Sequence, residues 1–285
     1  MRDFRVPVRC DRGAAELLVG ARRGSRTIVT LALGVTLLAG CGSAPEDGQD
    51  KAASPVSPQP VSKAQRAKLP KATTHATLKK APKDPKPSAP NRGRVVHPTK
   101  GMVVYSSPGG APLAILPKTQ LENPTWVPVV ERQSGWARVL LPSRPNHSTG
   151  WLYTAGGGLK VRHTPYTVKV DLSDRKLTLT KNSNQVGSWT VAIGTSKNPT
   201  PTGRTFMLAS LAPPNPTYSP LILPLGTHSN TLSTYGGGPG TVGFHTWQDS
   251  SVFGKAVSHG CVRVPEPALQ ALSSVPLGSL VLVTK

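Results

Sequence analysis

One cysteine near the C-terminal end of the chain is a candidate nucleophile. Cys261 lies in the run Ser258-His259-Gly260-Cys261, and His245 lies sixteen residues upstream. A lone cysteine with a histidine elsewhere in the chain is typical of a nucleophile rather than of a structural staple. An imidazole within hydrogen-bond reach can take the thiol proton and so activate the sulfur.

The other two cysteines have explanations that involve no catalysis. Cys10 lies in the N-terminal leader, whereas Cys41 follows an apolar run over residues 27–39 that is preceded by arginines. That run has the length of a signal peptide and is too short to span a membrane. We predict a signal peptide over residues 1–40 and lipid attachment at Cys41, which leaves one free thiol in the mature protein. The anchor would then be lipid rather than a helix.

Two short strands are expected to bring the cysteine and the histidine together. Residues 240–245 predict a strand that ends at His245, and residues 261–264 predict the next strand, beginning at Cys261. The end of one strand would then lie beside the start of the other, with a loop of about fifteen residues between them.

Alternation along the second strand adds a candidate cation. If Val262 and Val264 face the core, Cys261 and Arg263 share the opposite face. A guanidinium there would lower the pKa of the thiol and could grip a substrate carboxylate. Gly260 would leave room for a carbonyl, with backbone N–H groups near Gly260 and Cys261 as oxyanion donors.

The elements that carry these residues belong to a mainly β chain with four parts. After the signal peptide, residues 41–94 are rich in Pro, Ala and Lys, and we expect a disordered tether because they bury little apolar surface. Short apolar runs between turn residues over 95–161 predict a small all-β module. Residues 166–285 predict a β-rich catalytic domain with a helix near 268–273. The long Pro- and Gly-rich stretch 211–241 predicts a lid, in which we expect His228 to be a surface or loop residue rather than a ligand.

The module resembles a bacterial Src-homology-type β-barrel through Ser134-Gly135-Trp136 and the later Gly150-Trp151. Such a module could bind wall peptides or serve as a rigid pedestal. We expect Trp136 and Trp151 to be core residues rather than a binding platform.

The net charge of +21 narrows the possible partners. A basic surface suits nucleic acid, anionic lipid or an anionic wall polymer. Nucleic acid is excluded here, because an exported lipoprotein does not normally meet it and aromatic residues make up only 5% of the chain. Anionic wall polymers and the membrane, reached through a lipid anchor, stay as expected partners.

The motif around Cys261 resembles the signature of the L,D-transpeptidase (YkuD-type) catalytic domain, in an actinobacterial-type lipoprotein form. The residues that carry the resemblance are Ser258-His259-Gly260-Cys261, the preceding stretch 253–257, and His245 at its spacing. Residues 170–173 and the Pro-Thr-Gly turn in 198–206 add to it. The resemblance runs from about Tyr166 to Lys285.

This resemblance implies a function and residue roles. Cys261 would attack a peptide carbonyl in a peptidoglycan stem tetrapeptide, D-alanine would leave, and a second stem's amine would take the acyl group in a 3→3 cross-link without a cofactor. His245 would be the general base, oriented by the backbone carbonyl of Thr246. His259 and Ser258 would lie in the pocket, and Arg263 would meet the substrate carboxylate. The family commonly has glycine or serine where this chain has Thr246.

Other interpretations remain beside this one. Water could take the acyl group, which would make the enzyme an L,D-carboxypeptidase, or the protein could be a wall-binding lipoprotein with an idle catalytic domain. A zinc site at His245, His259 and Cys261 is disfavoured, since a structural site needs a fourth ligand and the mature chain has no second cysteine. We expect an extracytoplasmic protein, lipid-anchored to the outer face of the cell membrane and reaching into the wall.

Overall fold

Strands dominate the protein, as the sequence predicts. The computed structural model describes residues 54–235 and 237–285, all of which fall within one compact unit. The expected signal peptide and lipid site at Cys41 lie outside the described residues. Within those residues, none of the helices combines the length and apolar character that a membrane crossing requires.

The predicted all-β module is present as a seven-stranded sheet. Its strands are β1 Arg94–Pro98, β2 Met102–Tyr105, β3 Pro112–Leu116, β6 Val127–Gln133, β7 Trp136–Leu140, β8 Thr149–Tyr153 and β9 Leu159–His163, with a separate hairpin of β4 Thr119–Gln120 and β5 Asn123–Pro124. Every pairing is antiparallel, in the order β3-β2-β8-β7-β6-β1-β9. Because β3 and β9 lie at the two ends of this order, closure into a barrel stays a prediction.

The two tryptophans of the module are core residues, as expected. Trp136 is 1% exposed and Trp151 is 4% exposed. Trp136 packs edge-on against Tyr105, with ring centroids 5.3 Å apart, and its Nε1–H donates to the carbonyl of Val56 at 2.8 Å. A buried indole N–H needs such a partner, and here the partner comes from the segment before the module.

That preceding segment corrects one expectation. The disordered tether predicted over residues 41–94 is wrong for residues 54–93, which are folded against the rest of the protein. A short helix, α1 Lys63–Lys68, begins with a capping box at Ser62. The small side chains of Ala72 and Ala81 are buried, and so is that of Leu78.

The physical reason is that this segment packs against a core formed mainly by other parts of the chain. The N–H of Ala72 donates to the carbonyl of Ile115 at 2.8 Å, and that of Leu78 donates to the carbonyl of Arg144 at 2.7 Å. Few large apolar residues are needed when backbone groups and small side chains fit a surface that is already formed.

A buried ion pair fixes the same segment to the catalytic part. Both nitrogens Nε and Nη2 of Arg204 donate to the carboxylate of Asp84, at 2.5 and 2.6 Å. Their side chains are 3% and 0% exposed. The two residues are 120 positions apart in the chain, so the contact is tertiary.

The catalytic part consists of small sheets around one core. Its elements are β10 Tyr166–Asp171, β11 Lys176–Lys181, β12 Asn184–Thr190, β13 Ile193–Gly194, β14 Gly203–Phe206, β15 Leu223–His228, β16 Thr241–His245, β17 Ala256–Ser258, β18 Val262–Arg263, α2 Glu266–Ser273 and β19 Leu280–Thr284, with a 3₁₀ turn at Ser250–Val252. One sheet has the order β12-β11-β10-β19-β14, and β15-β16-β18 form another. Helix α2 and the last strand are confirmed.

The stretch 211–241 is not a loop throughout. Strand β15 lies within it and pairs antiparallel with β16, so that Leu223 lies opposite Phe244. Leu223 and Leu225 are each 1% exposed. The expectation of a surface position for His228 is also wrong, because its side chain is fully buried at the end of β15.

Candidate active site

Parallel pairing of β16 with β18 places the predicted residues side by side. His245 is the register partner of Arg263, and the N–H of Val264 donates to the carbonyl of His245 at 2.9 Å. Val262 and Val264 are both fully buried in the core. The predicted alternation is therefore confirmed, and the strand presents its opposite face to a cavity.

A cavity of about 470 Å³ gathers most of the predicted site residues. It is lined by Cys261, His245, Arg263, His259 and Ser258. Thr246 and Gly260 do not line it, and act through the backbone as described below. A volume of this size is in the range of peptide and small-molecule sites.

The imidazole of His245 has a defined orientation. Its Nδ1 lies 2.7 Å from the carbonyl oxygen of Thr246. A carbonyl can only accept, so Nδ1 carries the hydrogen and Nε2 of the neutral ring is left with a lone pair. Burial lowers the pKa of His245; its bond to Thr246 opposes this and the charge of Arg263 adds to it. The ring is therefore neutral at pH 7.

Thr246 supplies the orienting carbonyl and also holds the chain before β15. Its N–H donates to Oγ of Ser219 at 2.9 Å, and its Oγ1 donates to the carbonyl of Tyr218 at 3.1 Å. The ring of Tyr218 packs edge-on against that of His245 with centroids 5.0 Å apart. A threonine at this position thus keeps the backbone contact and adds a side-chain bond.

The thiol of Cys261 is free and partly exposed. Burial raises the pKa of this thiol, while a hydrogen bond from the Gly243 backbone and the charge of Arg263 act in the opposite direction. In the described part of the chain no hydrogen bond joins the sulfur to His245. Catalytic hydrogen bonds are often loose without substrate and tighten in the reacting complex.

The loop before Cys261 is held by its own polar groups. Oγ of Ser258 accepts from the N–H of Gly260 at 3.1 Å and donates to the carbonyl of Cys261 at 2.5 Å. The carbonyl of Gly260 accepts from Oγ1 of Thr200 at 2.9 Å, and that oxygen accepts from Gly194. Gly260 has a φ of +117°, a conformation that suits glycine.

These bonds correct one expectation. The N–H of Gly260 is not available as an oxyanion donor, because it is bonded to Ser258. Ser258 lines the cavity, and its hydroxyl bonds the Cys261 carbonyl within the turn, so its substrate-binding role stays a prediction. The N–H of Cys261 is the other donor of the predicted pair, and its role as an oxyanion donor stays a prediction.

Arg263 provides a buried positive charge beside the thiol. Its guanidinium carbon lies 3.5 Å from the ring centroid of Trp247, and the residue is 8% exposed. Among the described residues no carboxylate forms an ion pair with it, and its Nε has no hydrogen-bond partner. A buried unpaired guanidinium is costly, so it fits a site that receives an anionic group.

His259 lies at the exposed edge of the cavity. Its ring packs on that of Tyr235, with centroids 5.4 Å apart and planes inclined by 31°. Sequence reasoning missed the aromatic residues Tyr218, Tyr235 and Trp247, because their neighbours in the chain carry no catalytic pattern. Within the described residues no three His, Cys, Asp or Glu side chains are grouped to hold a metal ion.

Comparison with known proteins finds similarity to one family of catalytic domains. The family model for the YkuD L,D-transpeptidase catalytic domain matches residues 165–283. The YkuD protein of Bacillus subtilis (strain 168) is 28% identical over 153 residues, covering 51% of this chain and 85% of that relative. The YkuD protein of Bacillus licheniformis is 32% identical over 121 residues, covering 42% of this chain and 66% of that relative.

Solved structures are matched as well. An L,D-transpeptidase from Mycobacterium smegmatis aligns with 56% of this chain and 99% of its own length, at 15% identity and a TM-score of 0.34. The region 165–283 is thus similar to the YkuD family of L,D-transpeptidase catalytic domains. The resemblance of the Cys261 region to this catalytic domain is confirmed, whereas the lipoprotein form stays a prediction.

Proposed function

We propose that the protein is a peptidoglycan L,D-transpeptidase that uses Cys261 as its nucleophile and forms 3→3 cross-links. The observation that carries this proposal is the placement of Cys261, His245 and Arg263 on one cavity. The bond from His245 Nδ1 to the Thr246 carbonyl supports it, because the free Nε2 lone pair can accept the thiol proton.

In the acylation step the thiol proton passes to Nε2 of His245, and the sulfur attacks the carbonyl of the third stem residue. The developing oxyanion would be bonded by the backbone N–H of Cys261. When the peptide bond breaks, D-alanine leaves with the proton held by His245, and a thioester remains. Arg263 suits the carboxylate of the departing residue or of the stem.

In the second step the side-chain amine of another stem attacks the thioester. His245 takes a proton from that amine, a new amide bond forms, and Cys261 regains its proton. Since both histidine forms are needed in turn, a neutral resting imidazole suits the cycle.

The experiment is a reaction of the purified protein with a stem tetrapeptide and an amine acceptor, followed by mass spectrometry. We expect a tripeptide acyl group on the Cys261-bearing peptide and a cross-linked dimer as product. Cys261→Ala should abolish both, and unchanged cross-linking by that variant would overturn the proposal. Tripeptide without dimer would identify L,D-carboxypeptidase action, and absence of any thioester would favour an idle wall-binding protein.

A second proposal concerns anionic wall polymers. A groove of about 1030 Å³ lies between the segment before β1 and strands β1, β6 and β9. Five exposed cations line it: Lys86, Arg92, Arg94, Arg132 and Arg162. None of them forms an ion pair with a carboxylate in the described residues, whereas the lining Glu131 and Arg204 are each paired elsewhere. Such a groove suits a linear polyanion with repeated phosphate groups.

The groove is tested with long-chain inorganic polyphosphate as the probe. Replacing Arg92, Arg94 and Arg132 together with glutamine should weaken binding by about tenfold at low salt. The matched control replaces the exposed Lys118, Lys176 and Lys197 outside the groove, which changes net charge equally. Equal weakening by both triple variants would show that only net charge acts and would overturn the proposal.

The extracytoplasmic, lipid-anchored location is likewise a proposal. It rests on the sequence pattern that ends at Cys41. Cells that express the full chain should incorporate a labelled fatty acid into the protein, and Cys41→Ala should abolish the label and move the protein from the membrane fraction. Persistence of both in that variant would overturn the proposal.

A further inference from the structure

We infer that the substrate cleft is built by three parts of the described chain, which are the segment 54–93, the module and the catalytic domain, and that residues outside the catalytic domain determine which peptides it accepts. This inference rests on the proposed function. Three residues from outside the catalytic region line the same cavity as Cys261: Thr74, His75 and Leu121. The module is then neither a pedestal nor a separate binding unit, but one wall of the site.

The tip of the β4–β5 hairpin supplies the apolar part of this wall. Leu121 and Glu122 both have positive φ, at 47° and 58°. A bulky side chain in that region is strained, and such strain concentrates at functional positions. The hairpin is held in place by Asn123, whose side chain bonds the N–H and the carbonyl of Ser210, both at 3.3 Å. Leu121 is thus carried to the cavity by a fixed, strained turn.

The segment before the module supplies the polar part. Oγ1 of Thr74 lies 2.6 Å from Oγ1 of Thr241, and its carbonyl accepts from Nε2 of His228 at 2.7 Å. Thr74 is 1% exposed, whereas the next residue, His75, is exposed at the mouth of the cavity. The buried bonds of Thr74 therefore place the His75 imidazole where a bound peptide would pass.

Arg144 of the module binds a second stretch of chain that lines the cavity through Tyr235, Gly238 and Pro239. We use the name lid segment for residues 229–235 and 237–240. Nη1 of Arg144 donates to the carbonyl of Ser229 at 3.0 Å, and Nη2 donates to the carbonyls of Leu232 and Pro239 at 3.0 and 2.9 Å. One guanidinium thus binds three backbone carbonyls of the lid segment, which also carries Tyr235.

The same arginine connects the lid segment to the side of the cavity that carries His75. The backbone N–H of Arg144 donates to the carbonyl of Ala76 at 2.9 Å, and its carbonyl accepts from Leu78. His75 and Tyr235 are therefore positioned through a single residue. Because Tyr235 packs on His259 next to the nucleophile, movement of the lid segment would change the width of the cleft.

This arrangement selects an extended peptide with an apolar side chain against Leu121 and a polar group near His75. A small thiol reagent needs neither contact. Replacing His75 or Leu121 should therefore change the KM for a stem peptide and leave the intrinsic reactivity of Cys261 unchanged.

The test compares His75→Ala and Leu121→Asn with the parent protein. Asparagine tolerates positive φ, so the second variant keeps the turn and removes the apolar contact. We expect KM for a stem tetrapeptide to rise about fivefold to tenfold in each variant, with the rate of alkylation by iodoacetamide unchanged. His163→Ala, an exposed histidine of the module outside this cavity, is the matched control. Unchanged KM in both wall variants would overturn the inference.

Arg144 is tested as a positioning residue. Arg144→Met should raise KM with little change in kcat and should speed amide hydrogen exchange in the lid segment but not in β16. Arg144→Lys keeps the charge but not the three bonds, so it should restore the KM only in part. Equal exchange in the lid segments of parent and Arg144→Met would contradict the role.

A separate measurement keeps this inference distinct from the proposed function. Binding of the stem tetrapeptide to Cys261→Ala needs no turnover. If the parent protein shows no peptide turnover, the proposed function fails, while weaker binding after His75→Ala is added would still support the shared cleft. The inference would be overturned if Cys261→Ala bound the peptide equally well with and without His75→Ala, or if Cys261→Ala did not bind the peptide.

Discussion

Arg204 and Asp84 form a buried, two-point ion pair that joins the catalytic part to a segment which begins far ahead of it in the chain. With side-chain exposures of 3% and 0%, neither group can turn to water if its partner is lost. Arg204 follows the Pro-Thr-Gly pattern that adds to the family resemblance, yet its side chain joins two parts of the molecule and makes no contact with Cys261 in the described residues.

Removing one partner of this pair should be strongly destabilising. Asp84→Asn leaves a buried guanidinium without its counter-charge, and we expect a loss of about 3–5 kcal/mol in the free energy of unfolding. Denaturant titration measures it. The control is Glu131→Gln, which breaks the more exposed pair with Arg138 and should cost less than about 1 kcal/mol. Similar costs for the two variants would refute the structural role of Asp84.

Stability should fall in mild acid because of His228. Burial lowers the pKa of this histidine to about 4, against about 6.5 in the unfolded chain. Above pH 6.5 both states are neutral at this site. As the pH falls from about 6.5 to about 4, the unfolded state takes up a proton that the folded state does not, so stability is lost.

The expected loss from His228 is about 2 kcal/mol between pH 7 and pH 5. His228→Gln retains a donor toward the Thr74 carbonyl and cannot titrate. The loss in its free energy of unfolding between pH 7 and pH 5 should therefore be smaller than that of the parent protein by about 2 kcal/mol. Identical pH dependence of variant and parent would show that His228 does not control acid stability.

The reactivity of Cys261 should rise steeply in the alkaline range. Burial raises the pKa of the thiol and lowers the pKa of His245, so the resting pair is neutral rather than an ion pair. The alkylation rate should show its inflection above about pH 8.5, without a plateau in acid.

Arg263→Gln is the companion variant for this measurement. Loss of the nearby charge should move the inflection to still higher pH and slow alkylation at pH 8 several-fold. The inflection pH and the alkylation rate of Arg263→Lys should lie between those of Arg263→Gln and the parent protein. An inflection below pH 7 in the parent would mean that the thiolate is already formed at rest.

Thr246 should tolerate serine but not a side chain without a hydroxyl. The backbone carbonyl that orients His245 remains in every variant, whereas the bond from Oγ1 to the Tyr218 carbonyl needs the hydroxyl. We expect Thr246→Ser to keep nearly full activity and Thr246→Val to lose a few-fold in kcat. Loss of activity of 100-fold in Thr246→Val would indicate a direct role for the hydroxyl.

Local patterns predicted the centre of the site well. The position of His245 at a strand end and the shared face of Cys261 and Arg263 follow from period-two alternation, which depends only on neighbours in the chain. The orienting role of the Thr246 carbonyl came from resemblance, and the bond is present.

Long-range relationships could not be predicted in the same way. Composition suggested that residues 54–93 cannot bury a core, but it could not show that Ala72 and Leu78 fit a core formed by others. Likewise, the burial of His228 depends on Thr74, which lies 154 positions away. The sequence predicts a free N–H at Gly260, and the hydrogen bond from that N–H to the Ser258 hydroxyl contradicts this prediction.

The path of this early segment also orders the folding of the chain. Its partners Arg144, Arg204 and Thr241 are synthesised after it, the last of them 167 positions later than Thr74. Contacts of such long sequence separation form late and slowly. The first part of the described chain to be synthesised therefore forms its native contacts only after the last part has been synthesised. We expect the whole unit to fold in one cooperative transition rather than in three.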